Sequence, residues 1–211
     1  MEAAQQRHVA YYLGNSVMNP ETRVLVNKTG FCSRHFPMLR EAGRAHHLGL
    51  IGHTHLQNVR GRFESHWKAV AKGSPKAVKA LKDAVSTLTE ECLVCESLNR
   101  DLNRYTYTAV VLYTKEEEFR TLFSNSRGPC LPHAADLAQM AVEVLSRKDR
   151  ITFLEALGHQ MNRTLGTLEE DVLRFTQKFD AQNDALEWGN SRDAHARTVQ
   201  ALSGVPVRLD D

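Results

Sequence analysis

The chain has 211 residues, with 27 basic and 25 acidic side chains for a formal charge of +2, and it is 42% hydrophobic and 25% charged. That composition is ordinary for a soluble globular protein and excludes a disordered chain, while the near-balanced charge says almost nothing about partners. The length suffices for one ample core or two small modules.

The start of the chain, Met1-Glu-Ala-Ala-Gln-Gln-Arg, holds no apolar run of the signal-peptide kind. The longest apolar block, Ala109 to Tyr113, is far too short to span a bilayer, so a cytoplasmic protein without a membrane segment is expected. Thiols stay reduced in that compartment, which favours metal binding over structural disulfides.

Glycines and prolines number only 12 and 6, and alternating strand patterns are scarce, so the expected fold is all-α. A first helix runs from about Glu2 to Leu13 and closes at Gly14-Asn15; Asn19-Pro20 marks a turn. Arg23-Val-Leu-Val26 is the one short run that reads as extended. Pro37 suits the first turn of a helix after His35.

From His46 to about Lys72, a stripe of Leu48, Ile51, His55, Val59, Phe63, His66 and Val70 recurs at three or four residues and turns two histidines inward. Gly73-Ser74-Pro75 ends that helix and starts another. Across 60–82 the basic residues Arg60, Arg62, Lys68, Lys72, Lys76, Lys79 and Lys82 face a single acid, Glu64. Such a run is either a solvated face or a contact surface for phosphate or an acidic protein. Trp67 is its one aromatic ring suited to stacking, so nucleic acid is not the favoured partner.

Cys95, Leu98, Leu102, Tyr105, Ala109 and Leu112 form the next apolar stripe, and Lys115 to Phe123 a short acidic helix. Pro132 starts a further helix, and Ser146 to Asp149 opens the longest one, striped from Ile151 to Phe179. A last helix spans Arg192 to Leu202, capped by Asn190 or Ser191. Asp180, Asn183, Trp188, Asn190 and Asp193 are dense enough in polar groups to line a small polar-ligand pocket, although an aromatic plug and a turn suffice to account for them.

The stretch with most chemistry is Cys92-Leu-Val-Cys95 followed, after thirty-four residues, by Cys130-Leu-Pro-His133. Three thiols and an imidazole form the tetrahedral donor set of zinc, so Cys92, Cys95, Cys130 and His133 are expected to hold one ion and staple a helical hairpin. A redox pair at Cys92-Cys95, or an iron–sulfur cluster on the same four residues, is the alternative. The closing phrase occurs twice, as Gly30-Phe-Cys32-Ser-Arg-His35 and Gly128-Pro-Cys130-Leu-Pro-His133, and a shift of 98 residues superposes them. The first copy thus reads as a depleted second site, Cys32 and His35, with His55 available to complete it.

These phrases, with Gly52-His-Thr-His-Leu-Gln57 and the segment from Lys178-Phe-Asp to Trp188-Gly-Asn-Ser-Arg-Asp-Ala194, resemble an uncharacterised bacterial family catalogued as a domain of unknown function. Its members look like two cysteine–histidine modules in tandem. The family pattern opens with a further Cys-x-x-Cys that has no counterpart here, and it implies no established activity.

The expected architecture is therefore a multi-helix bundle of two related modules, 1–88 and 89–211, stapled by a Cys3His metal site and ending in long helices. Its expected role is a noncatalytic zinc protein that binds a protein partner or small polar ligand. A metal-dependent enzyme at the incomplete Cys32/His35 site is the competing reading, since catalytic zinc needs an open position.

Overall fold

The computed structural model describes residues 2–183, 185–205 and 207. Its helices are α1 (Glu2–Tyr12), α2 (Pro20–Thr29), α3 (His35–Glu41), α4 (Ala45–Val70), α5 (Pro75–Glu90), α6 (Leu93–Lys115), α7 (Glu117–Asn125), α8 (Leu131–Val144), α9 (Arg147–Gln177) and α10 (Ala194–Ser203). Among the described residues there is no strand, and the fold is an all-α helical bundle, as the scarcity of alternating patterns implied.

Arg23-Val-Leu-Val26 departs from its extended reading and lies inside α2. Local punctuation outweighs the β-branched run. Asn19 caps the helix by accepting a 2.8 Å bond from the Glu21 N–H, and Pro20 presets the first turn. Val26 is then buried at 1% exposure, while Val24 and Leu25 face outward.

The chain divides into two compact units, Met1–Asp101 and Leu102–Asp211. This break falls after the Cys92/Cys95 turn instead of before it at 88/89. The physical cause is packing: Cys92, Leu93 and Val94 belong to the first unit's core, with Leu13, Val17, Val26, Phe31, Leu39 and Ile51. Fully burying an aliphatic side chain of this size contributes about 1.5–3 kcal/mol, so these residues anchor the start of α6 where they pack.

Within the first unit, α4 packs on α2 and α5, and α3 on α1 and α4. The inward stripe on α4 is realised by Ile51, His55 and Phe63, all buried. No residue of α5 is buried.

In the second unit, α8 and α10 pack on α9. Phe153, at 0% exposure, meets Tyr113 and Phe123 at ring-centroid distances of 5.0 and 5.7 Å, at the centre of a cluster with Val110, Leu137, Ala141, Leu157 and Met161. Ser146 caps α9, accepting from the Asp149 N–H as its place in the sequence suggested. The α10 N-cap is Asp193, two or three residues later than expected. Among the described residues no helix is long and apolar enough to cross a membrane.

Candidate metal centre

The site is built on a turn that glycine permits. α2 ends at Gly30, whose φ of +74° is costly for any side-chain-bearing residue. A Cβ there would also fall 2.8 Å from Cε1 of His55, so the imidazole packs against bare backbone. From Gly30 the chain turns through Cys32, whose carbonyl accepts from the N–H groups of both His35 and Phe36, and His35 opens α3. Two backbone bonds dock the α5–α6 junction onto this turn. Ser33 N–H donates to the Thr89 carbonyl at 3.3 Å, and Leu93 N–H to the Gly30 carbonyl at 3.2 Å.

Those bonds deliver Cys92 and Cys95 to Cys32 and His35. Nδ1 of His35 lies 3.3 Å from Cys32 Sγ, 3.4 Å from Cys92 Sγ and 3.3 Å from Cys95 Sγ, and the Cys32 and Cys95 sulfurs are 3.9 Å apart. All four ligand atoms fall within 4.8 Å of one another, in an arrangement that could hold a metal ion. Around zinc, with sulfur at ~2.3 Å and nitrogen at ~2.0 Å, a tetrahedron has sulfur–nitrogen edges of about 3.5 Å and sulfur–sulfur edges of about 3.8 Å. The three sulfur–nitrogen distances and the Cys32–Cys95 distance are close to those edges.

A cation among the four groups would offset the charge that several thiolates bring together. Burial, and then the neighbouring Cys92 and Cys32 sulfurs, push the Cys95 thiol up to about 12, because a second or third negative sulfur in this space has nothing to offset it. Burial also pushes Cys32 upward, but hydrogen bonds from the backbone of His35 and Arg34 and from the Cys92 and Cys95 side chains outweigh it and hold that thiol below its ordinary value. Burial, aided by Arg34, lowers His35, which keeps its imidazole neutral and able to offer a lone pair. Nε2 of His35 is buried with no hydrogen-bond partner, leaving Nδ1 as its one engaged nitrogen.

This grouping corrects the expected one. The Cys92–Cys95 turn is met by Cys32 and His35, and these four residues form the group within the first unit that could hold a metal ion. Cys130 and His133, assigned to that turn from their spacing, lie in the second unit, where Cys130 Sγ is 3.0 Å from His133 Nδ1. The chain after α10 packs closely on that sulfur, since a Cβ at Gly204 would fall 3.2 Å from it. His55 is not among the ligands either. It is buried against Gly30 and Phe36, with its basicity lowered by burial in spite of hydrogen bonds with the Asn27 and Val26 backbone, and its Nδ1 has no partner.

Of the polar residues near the C-terminal end, Asn183, Asn190 and Asp193 make hydrogen bonds within the second unit. Arg197 donates to Asp193 at 2.8 Å and to Asp171 at 3.0 Å, and it also bonds the Asn190 carbonyl. Asn183 donates to the Gln177 carbonyl at 3.0 Å, and Trp188 stacks near Phe175 and Phe179. Asp180 is exposed.

Fold and site together define a class: an all-helical protein in which a Cys3His group built from two separated turns could hold a metal ion. The chain belongs to the family of unknown function DUF6062, whose model matches residues 1–208. No curated protein and no solved structure matches it.

Proposed function

We propose that the protein is a noncatalytic zinc-stapled helical protein, in which the ion on Cys32, His35, Cys92 and Cys95 sets the structure of the first unit and leaves its outer surface to bind a partner. The observation that carries this is the closed donor set. Three sulfurs surround one nitrogen at 3.3–3.4 Å, so every tetrahedral position belongs to the protein. Catalytic zinc keeps a position for water or substrate, and structural zinc does not. The same closure argues against an enzyme acting at Cys32 and His35, because Cys92 and Cys95 fill the places that water would need.

Zinc suits the site better than an iron–sulfur cluster. Ligand atoms within 4.8 Å of one another enclose a single ion, and several irons with bridging sulfides need a wider cradle. A cytoplasmic setting, where thiols remain reduced, keeps such a site loaded.

The two Gly-x-Cys-x-x-His phrases are read as diverged copies. Gly30 and Gly128 share φ values of 74° and 75°, and each is followed by a cysteine sulfur 3.0–3.3 Å from its histidine Nδ1. The 98-residue shift carries Cys92 and Cys95 onto Asn190 and Asp193. In this reading the second copy has exchanged its closing thiols for the Arg197 tie.

The test is elemental analysis of the purified protein with metal-to-chain stoichiometry. One zinc per chain is expected. A metal-free preparation that keeps its full helicity and melting temperature, or visible absorption from a cluster, contradicts the proposal.

A further inference from the structure

α4 and α5 form an antiparallel hairpin whose outer end is barely covered. α5 makes its principal packing with α4 alone and buries none of its residues. Between the two helices runs an open groove of about 540 Å³ lined by Leu56, Val59, Phe63, Trp67, Val85 and Leu88, together with Arg60, Glu64 and Lys68. Leu56 is 68% exposed, Trp67 59% and Val85 41%. Apolar side chains at 56, 59, 63 and 67 keep the spacing of one helix face. An apolar strip of this kind left open to water marks a binding surface more often than chance.

The charge at the groove selects its occupant. Of the seven basic residues between 60 and 82, Arg60 and Lys68 line it while Arg62 turns away to the Lys28 carbonyl, and Glu64, the acid in its lining, is already paired with Lys68 at 2.6 Å. That pair is exposed on both sides, 73% and 64%, and such i,i+4 pairs contribute only about 0.3–0.5 kcal/mol, so Lys68 is easily recruited. Arg60 lines the groove on α4, and Lys82 stands one turn before Val85 on α5. A second copy of the same face would bring like charges together. Bases would find one stacking ring, Trp67. A concave apolar floor between two helices with a basic rim fits a third helix carrying the opposite charge.

We propose that the α4–α5 groove binds an acidic amphipathic helix of a partner protein, with its apolar residues seated between Leu56, Phe63, Trp67 and Val85 and its carboxylates on Arg60, Lys68 and Lys82. This names the partner class of the function proposed above and rests on that reading only in so far as the metal fixes the hairpin's root through Thr89 and Leu93. The metal itself plays no part in recognition.

The experiment is selection from a displayed library of helical peptides of about 15 residues, unbiased in charge, against the full metal-loaded chain. Enrichment of peptides with an i, i+3, i+7 apolar stripe flanked by Asp and Glu is expected. Their affinity should fall at least about tenfold on Leu56→Asp or Val85→Asp, fall further with added salt, and remain unchanged on Leu122→Asp, an exposed site in the second unit. Trp67 emission should shift to the blue on binding in a Trp188→Phe background.

Enriched peptides without acidic residues, binding indifferent to the groove variants, or no enrichment at all overturns the proposal. So does concentration-dependent dimerisation that protects Trp67, or binding to phosphatidylserine vesicles in preference to every peptide. Metal content measured on the same sample separates this result from the zinc reading: peptide binding by a metal-free folded chain retains the groove and discards the staple.

Discussion

The cysteines and histidine of the candidate centre depend on the residues around them. Cys32 and His35 depend on Gly30, where the backbone is left-handed and the His55 ring occupies the space of a side chain. Cys92 is 2% exposed and Cys95 half-buried, so a serine at either position would put a hydroxyl, a poorer donor to a soft metal ion, among apolar neighbours. Cys32→Ser and Cys92→Ser should therefore each lose bound metal and lower the melting temperature of the first unit. Cys130→Ser should keep the full metal content, because its sulfur faces His133 and Gly204 instead. Metal analysis and thermal melts of the three variants check this, and loss of metal in the Cys130 variant would restore the expected pairing. Lower pH should release the metal from the native chain as well, since thiolates and a neutral imidazole must give way to protons.

At the scale of elements, the two ends of the chain are secured by different chemistry. The α5–α6 junction is held by two backbone bonds and the sulfurs it carries. The segment before α10 is held by Arg197, which joins Asp171 on α9 to Asp193 at the α10 N-cap and to the Asn190 carbonyl. Neighbouring carboxylates raise the already high basicity of that guanidinium against the opposing effect of burial, so it stays charged at all ordinary pH. Arg197→Ala removes three partners and leaves Asp171, 16% exposed, without its cation. A cost of about 1–3 kcal/mol in the second unit is expected, read as a lowered denaturant midpoint with metal content unchanged.

For the whole molecule, the two units rest on different sources of stability. The first buries its Cys92–Leu93–Val94 segment beside a group that could hold a metal ion, and on the zinc proposal that ion would add an apparent roughly 10–16 kcal/mol of binding free energy to folding. The second is centred on the aromatic rings of Phe153, Tyr113 and Phe123. A strong zinc chelator should thus split the melting curve, moving one transition to lower temperature and leaving the other in place. Phe153→Ala should do the reverse, costing about 3–5 kcal/mol in the unaffected transition. Calorimetry with and without chelator reads both, and a single transition shifted as a whole would show that the metal stabilises the two units equally.

Much of this was readable from residue order. Sparse Gly and Pro, capping signals at Asn19-Pro20 and Ser146, and the three-or-four spacing on α4 and α9 dictate helices locally, and the ligand types are fixed by the only four cysteines and their attendant histidines. The pairing of the ligands was not readable. Closing the gap from Cys95 to Cys130 or the longer one from His35 to Cys92 differs by only about 0.5 kcal/mol in chain entropy, because that cost grows as the logarithm of loop length. The choice was made by tertiary structure: apolar burial of Leu93 and Val94 beside Leu39, and the backbone bonds from Ser33 and Leu93, bring the second thiol turn to the first imidazole. Helices and donor atoms follow from neighbours along the chain, whereas the partners of a half-built site depend on which distant surfaces exclude water together.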